Sequence, residues 1–291
     1  MLITDVLLNM KKDIEESITN ATVKGSRYDS KGNPYRDGQA AKEALIRSQG
    51  LINHLHEFIK SELIRNDVNP KKIFPPIKAT KPELKISGLL KQKDQDICVL
   101  PDNIPARPQK IDWGPLAHEN ITDQFGKELT EQILVINIRS QMSSLAKNAD
   151  TLFERTFAEA LNLHLAYPKM CLGEVYLIPV YEYDDSAMKS NQVKFKKNKT
   201  NVAKYISFFD FINGRTDPSS DYNKYERCAL LIVDFNHPVP KLYQNTSELK
   251  KDGLVPSNFP IELRNISIDN FIEDLLDTYI KRFNNRNIFM S

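Results

Sequence analysis

The sequence predicts an α/β domain, a central mixed sheet flanked by helices, on three observations. The first is a β-branched apolar run, Ile133-Leu134-Val135-Ile136, which ends in the polar residues Asn137 and Arg139 and leads into a helix with one packed face. The second is a pair of longer apolar runs, Lys169 to Tyr183 and Tyr225 to Phe235, with the content of interior strands. The third is an amphipathic helical pattern at either end of the chain. Helices flanking about four such strands make one layered domain of α/β or α+β order.

Composition bounds the rest. A chain of 291 residues that is 41% hydrophobic builds a real core, and 27% charged residues keep it soluble. The net charge of +2 excludes no class of partner, because a nucleic-acid binder needs its charge concentrated locally. Cys98, Cys171 and Cys228 lie far apart in apolar surroundings with no CxxC pairing, so they read as buried free thiols of a reducing cytosol. The first residues turn acidic instead of forming a signal peptide, and no apolar segment approaches the ~20 residues of a membrane helix. The expectation is a cytoplasmic protein with no membrane partner.

Taken in order, Leu2, Val6, Leu7, Met10, Ile14 and Ile18 form one stripe of a first helix. Thr22 to Gly38 is a polar loop or hairpin. A second helix runs from Gln39 to Arg65, with His54 and His56 on different sides and so unable to converge on a metal. Four prolines between Asn69 and Pro82 make an extended connector, which separates an N-terminal helical region with its linker, residues 1–82, from residues 83–291; the two are separate or one continuous domain. Gln95 to Leu100 reads as a strand entered by Asp94 and Asp96, after a turn at Leu89-Leu90. A proline-rich stretch with Trp113 precedes the central strand, and a Ser-Gln-Met-Ser-Ser turn follows it as far as Asn148. The next helix is capped by Asp150 or Thr151, Thr151 and Glu154 having capping-box spacing, and it buries Phe153, Phe157, Ala160, Leu161 and His164. Lys194, Lys196, Lys197 and Lys199 form the one concentrated basic run, either a solvated loop or a phosphate-contacting arm. Val202 to Phe211 is helix or strand, Asn213 to Asn223 a loop, and Ser267 to Phe283 a closing amphipathic helix.

The chemistry is read from two strand ends. A metal-dependent phosphodiesterase needs a carboxylate at the tip of one strand, another at the end of its neighbour, and a cation two residues on. Asp96 opens one strand, and Asn137-Ile138-Arg139 ends the next. The placement fits, whereas the residue types of the second strand differ.

Asp96 in KDQDICVL, followed by INIRSQ, a loop with Asn148 and an acidic helix, resembles the PD-(D/E)xK nuclease core, and in particular the XhoI-type restriction endonucleases. In that family a strand ending in Glu-x-Lys-Ser-Gln runs into an asparagine-containing loop, an acidic helix and a later strand, whose place Leu172-Gly173-Glu174-Val175-Tyr176 takes here. Tyr225-Glu226 is a weaker likeness, and the match covers roughly residues 90 to 235. The resemblance implies a PD-(D/E)xK restriction-endonuclease-like α/β core in which Asp96 ligates magnesium. Asn137 stands where the family has glutamate and offers a carbonyl oxygen without charge. Arg139 stands where the family has lysine, keeping the charge but holding its proton. The second metal ligand is then Asn137 or Glu154, with Glu154 or Glu159 reaching back from the helix as the replacement carboxylate. Ser140, Gln141, Lys147, Asn148 and the basic run at Lys194, Lys196, Lys197 and Lys199 are the candidate DNA contacts, Gln141 being suited to an adenine edge.

The function so implied is magnesium-dependent cleavage of double-stranded DNA by a type II-like restriction endonuclease, or by the nuclease subunit of a restriction or phage-defence system. It would work as a homodimer or with partner subunits. The alternative is a catalytically degenerate DNA-binding subunit, and a third reading is an interaction protein with no nucleic-acid role. Each residue also has a plain structural reading: Asp96 as a cap, Glu154 as the partner of Thr151, Glu159 as an exposed helical residue, Gln141 as loop filler and His164 as a satisfied core histidine.

Overall fold

The structure, a computed structural model, describes residues 1–25, 29–284 and 287–290. Three helices lead the chain: α1 (Ile3–Thr19), α2 (Gly38–Arg47) and α3 (Asn53–Arg65). Short strands follow: β1 (Ile73–Phe74), β2 (Leu84–Ser87), β3 (Gln92–Gln95), β4 (Ile97–Val99), β5 (Gln109–Lys110) and β6 (Thr122–Asp123). Then come α4 (Lys127–Glu131), β7 (Leu134–Ser140), α5 (Leu145–His164), β8 (Cys171–Pro179), β9 (Tyr181–Tyr183), α6 (Asp185–Lys189) and β10 (Phe195–Lys199). The chain ends with α7 (Val202–Ile212), β11 (Arg227–Asp234), β12 (Lys241–Leu242), α8 (Thr246–Lys251) and α9 (Phe271–Phe283).

Six strands form the central mixed sheet in the order β1-β4-β7-β8-β11-β12. The β7–β8 and β8–β11 pairs are parallel, and the other three are antiparallel. Parallel neighbours need a crossover, and α5 and α7 supply the two. Helices on both faces also explain why β8 and β11 read as mostly apolar runs, since every residue in them is buried.

Alternation sorts the side chains of the sheet. Leu134, Ile136, Val175, Leu177, Leu231 and Val233 share one core with residues of α1, α3 and α9. Val135, Leu172, Tyr176, Leu230 and Ile232 share the other with residues of α5 and α7. Gly173 on β8 is a packing requirement, because a Cβ there would lie 2.8 Å from both Phe271 and Leu275 of α9.

The expected α/β architecture is present, with several boundaries moved. The helix expected from Gln39 to Arg65 is two, broken around Gly50, where Gln49 adopts a positive φ of 61°. Asp96 is a bend between β3 and β4 and not the start of one strand. The connector at residues 69–82 supplies edge strand β1, and α1 and α3 share their core with the sheet. The helix after the central strand starts at Leu145, before the proposed caps Asp150 and Thr151, which therefore lie inside it; Ser144 is the residue before it, in the left-handed region, with no side-chain cap. The basic run from Lys196 to Lys199 lies in strand β10, antiparallel to β9, with Lys194 just before it. Within the polar stretch from Thr22 to Gly38, residues 26–28 lie outside the described residues. Among the described residues no helix is long and apolar enough to cross a membrane. All three cysteines are buried and free.

Candidate functional site

Side chains of β7 alternate, so Val135, Asn137 and Arg139 point to the face covered by α5. The parallel register sets Asn137 beside Glu174 of β8, and Glu174 beside Cys228 of β11. Glu174 has no solvent exposure. Its Oε1 accepts a hydrogen bond from Arg139 Nη1 at 2.7 Å. The same nitrogen donates to Thr156 Oγ1 at 3.1 Å, while Arg139 Nη2 lies 3.8 Å from Glu159 Oε2. Thr156 and Glu159 are three residues apart on α5 and therefore share a side of the helix.

Two further lysines reach Glu159 from the β2–β3 hairpin: Lys93 Nζ at 3.1 Å from Oε1 and Lys91 Nζ at 3.7 Å from Oε2. Asp96, in the bend after that hairpin, accepts the backbone N–H of Ile138 at 2.8 Å. The hydroxyl of Tyr225 donates to the Thr156 carbonyl at 2.8 Å and closes the cluster from the β11 side. Glu159 and Glu174 thus meet at Arg139, with Asp96 near enough for its charge to act on the guanidinium.

Burial pushes the Glu174 carboxyl up to about 8, with Arg139 and then Lys93 pulling the other way. Arg139 resists its own burial because Glu174, Tyr225 and Glu159 hold it charged. Both amide atoms of Asn137 and Oε2 of Glu174 are buried without a hydrogen-bond partner. Leaving such a group unpaired costs on the order of 1–3 kcal/mol. Three unpaired oxygen and nitrogen atoms on adjacent strands are therefore an expensive arrangement, of the kind that binding sites maintain.

The other candidates fall in different places. Glu159 is buried in the cluster, not exposed, while Glu154 is exposed on α5. Gln141 is buried and its amide is spent: Oε1 accepts from Tyr205 Oη at 2.7 Å and Tyr176 Oη at 3.3 Å, and Nε2 donates to the Leu145 carbonyl at 3.3 Å. It pins the turn between β7 and α5 and presents no free edge. Ser140 is half-buried at the end of β7, and Lys147 and Asn148 are exposed in the first turn of α5. Lys196 is held by Asp185 at 2.8 Å and Glu182 at 3.3 Å, and Lys199 donates to the Asp252 carbonyl at 2.8 Å. Lys194 and Lys197 are exposed. A cavity of about 470 Å³ beside this strand is lined by Glu182, Lys196, Lys199, Thr200, Lys204 and Tyr205 among others.

Sequence reasoning gave no role to Glu174 or Lys93. Glu174 was hidden inside an apolar run; the one signal was a charged residue where nine consecutive positions are buried. His56 has a buried Nε2 without a partner, its pKa lowered by burial and partly restored by the charge of Asp96.

Among the described residues no three His, Cys, Asp or Glu side chains are spaced to hold a metal ion. A hard cation here would draw on two carboxylates, Asp96 and Glu174, and on the amide oxygen of Asn137. Magnesium is commonly held by one or two carboxylates, with water and substrate phosphate completing its shell, and the unpaired Glu174 Oε2 and Asn137 Oδ1 are suitable donors. Comparison of the chain with protein-family models, curated proteins and solved structures returns no match.

Proposed function

We propose that the protein is a PD-(D/E)xK-like nuclease that cleaves double-stranded DNA with magnesium, as a restriction endonuclease or the nuclease subunit of a restriction system. The observation that carries this reading is the register of Asn137 against Glu174. The carboxylate lost from the strand-end motif is supplied by the neighbouring strand, beside the arginine that stands in the place of the family's lysine. The order of parts supports it as well: a strand preceded by Asp96, an adjacent strand with Arg139 next to its last residue, a crossover helix, then a parallel strand.

In this reading Asp96, Glu174 and the Asn137 amide hold the cation, which when bound neutralises the scissile phosphate and favours ionisation of the attacking water. Arg139 offsets the charge that builds on the phosphoryl oxygens, and it does so without giving up a proton. Burial holds the Glu174 carboxyl up, so binding of a cation there would release a proton and strengthen as pH rises. Glu159 and Thr156 fix the orientation of the guanidinium.

A second reading rests on the same contacts. The guanidinium of Arg139 already occupies Oε1 of Glu174 at 2.7 Å, as it would in a catalytically degenerate subunit that only binds DNA. Incubation with supercoiled plasmid separates the two. Magnesium-dependent cleavage that chelator, Asp96→Ala and Glu174→Gln each abolish supports the nuclease. Intact DNA that is nevertheless retarded in a gel supports the degenerate subunit, and intact, unretarded DNA sinks both.

A further inference from the structure

The cluster around Arg139 is roofed by the β2–β3 hairpin, and the way this hairpin is fastened carries a second conclusion. Its turn is tied to Asn162 of α5 at three points: Leu89 N–H to the Asn162 carbonyl at 2.7 Å, and Leu90 and Lys91 N–H to Oδ1 at 2.7 and 3.3 Å. Asn162 Nδ2 returns a bond to the Lys91 carbonyl at 3.4 Å, and the Trp113 indole donates to the Gly88 carbonyl at 3.3 Å. Gly88 permits the contact, since a Cβ there would lie 2.2 Å from the Asn162 amide. A turn held by this many bonds is preorganised, so the cations it carries need little further ordering to meet a ligand.

Those cations are Lys91 and Lys93. Their side chains are 58% and 30% exposed, so both reach solvent while Glu159 holds them over the site. Arg139 lies below them in the same cluster, so three cations gather around Glu159 at this opening. Solvent-reaching lysines on a fixed turn suit the regularly spaced charges of a polyanion. We propose that the β2–β3 hairpin is a phosphate clamp, Lys91 and Lys93 binding the backbone of the DNA strand presented to the Arg139 cluster. This deepens the reading above and rests on it.

The test is binding, not cleavage, and needs no magnesium. Fluorescence anisotropy of a labelled 30-base-pair duplex with the full chain in chelator, from 50 to 200 mM KCl, gives the dependence of affinity on salt. Removing two phosphate contacts flattens the slope of log K against log salt by about 2 and weakens binding tenfold or more at the lower salt. Lys91→Gln/Lys93→Gln is expected to do this on several duplex sequences alike, and Lys91→Arg/Lys93→Arg to keep the wild-type slope. Thermal unfolding of each variant identifies a loss that comes from misfolding; should the glutamine pair misfold, Lys93→Gln alone is expected to flatten the slope by about 1. Wild-type protein that binds while the glutamine variants keep its slope overturns the clamp and leaves the nuclease reading standing. Wild-type protein that fails to bind duplex DNA overturns both.

Discussion

Two glutamates with no side-chain exposure lie on neighbouring strands of the sheet and meet opposite fates. Glu226, at the entry to β11, is surrounded by donors: Oε2 accepts the Leu172 N–H at 2.7 Å, and Oε1 accepts from Arg215 at 2.9 Å and Arg282 at 2.5 Å. His164 Nε2 stands 3.4 Å from Oε2. Burial alone would push this carboxyl up, but the hydrogen bond and charge of His164, and then Arg282, bring it down to about 2. Glu174, inside β8, is just as dry, yet one oxygen has only Arg139 and the other has nothing, and it sits at about 8. Burial is the same in both, so the number of donors decides the protonation state. The Glu226 network is complete in itself and reads as structure. The Glu174 cluster is incomplete, with its missing partners on the side where Asp96, Asn137 and Arg139 gather.

The largest effect that would test this contrast is at Glu226. Removing its charge leaves Arg215 and Arg282 buried without their anion, which costs roughly 3–5 kcal/mol. Glu226→Gln should lower the midpoint of urea unfolding accordingly. The pH dependence has a definite sign. A carboxyl depressed from 4.5 to about 2 contributes stability that is full above about 4.5 and is lost as pH falls toward 2. Wild-type protein should therefore weaken between pH 5 and 2 more steeply than Glu226→Gln. A variant less than about 1 kcal/mol weaker at pH 7 would mean that the network is not the finished one described.

At Glu174 the sign reverses. A carboxyl raised from 4.5 to about 8 binds its proton more tightly when folded, so its contribution is most favourable below about 4.5 and declines as pH rises to about 8. Glu174→Gln removes that decline and should gain roughly 2 kcal/mol at pH 9, less than the full shift implies because Arg139 loses an ion partner. In the nuclease reading the same variant loses magnesium-dependent cleavage. Stability gained together with activity lost is the pattern of a residue retained for function. If Glu174→Gln were less stable at pH 9, the two glutamates would not differ as claimed.

The same contrast explains what was legible in the residue order. β7, β8, β11 and the closing helix stand out because periodicity and apolar runs are local signals. The break at Gly50 and the early start of α5 were hidden: Gln39 to Arg65 keeps one apolar stripe across its break, and α5 begins without a capping side chain, its first N–H donating instead to Glu182 Oε1 at 3.3 Å. Of the clustered residues, Asp96, Arg139 and Glu159 were singled out in the residue order, although Asp96 lies in a bend and not at the start of the strand read there. Glu174 was not, because its importance arises from register with Asn137, which depends on how two distant segments align. Lys93 was lost for the same reason, being brought over α5 by a hairpin whose anchor, Asn162, lies 71 residues beyond Lys91.

Asn137 offers the smallest and most delicate test. Its amide has no partner on either atom and no exposure, so in the metal-free protein it contributes nothing that an apolar side chain of similar size would not. Asn137→Leu should raise stability in chelator by about 1 kcal/mol, since an unpaired buried amide is replaced by a group that suits the α5 face. Magnesium supplies the discriminating comparison. A cation held by Asp96, Glu174 and the Asn137 oxygen binds the folded protein alone and raises its melting temperature with concentration. Asn137→Leu, which lacks one donor, should show a smaller rise or none. A variant that instead melts lower in chelator would reveal that Asn137 is already bonded, and the cluster at Glu174 would then be as complete as the one at Glu226.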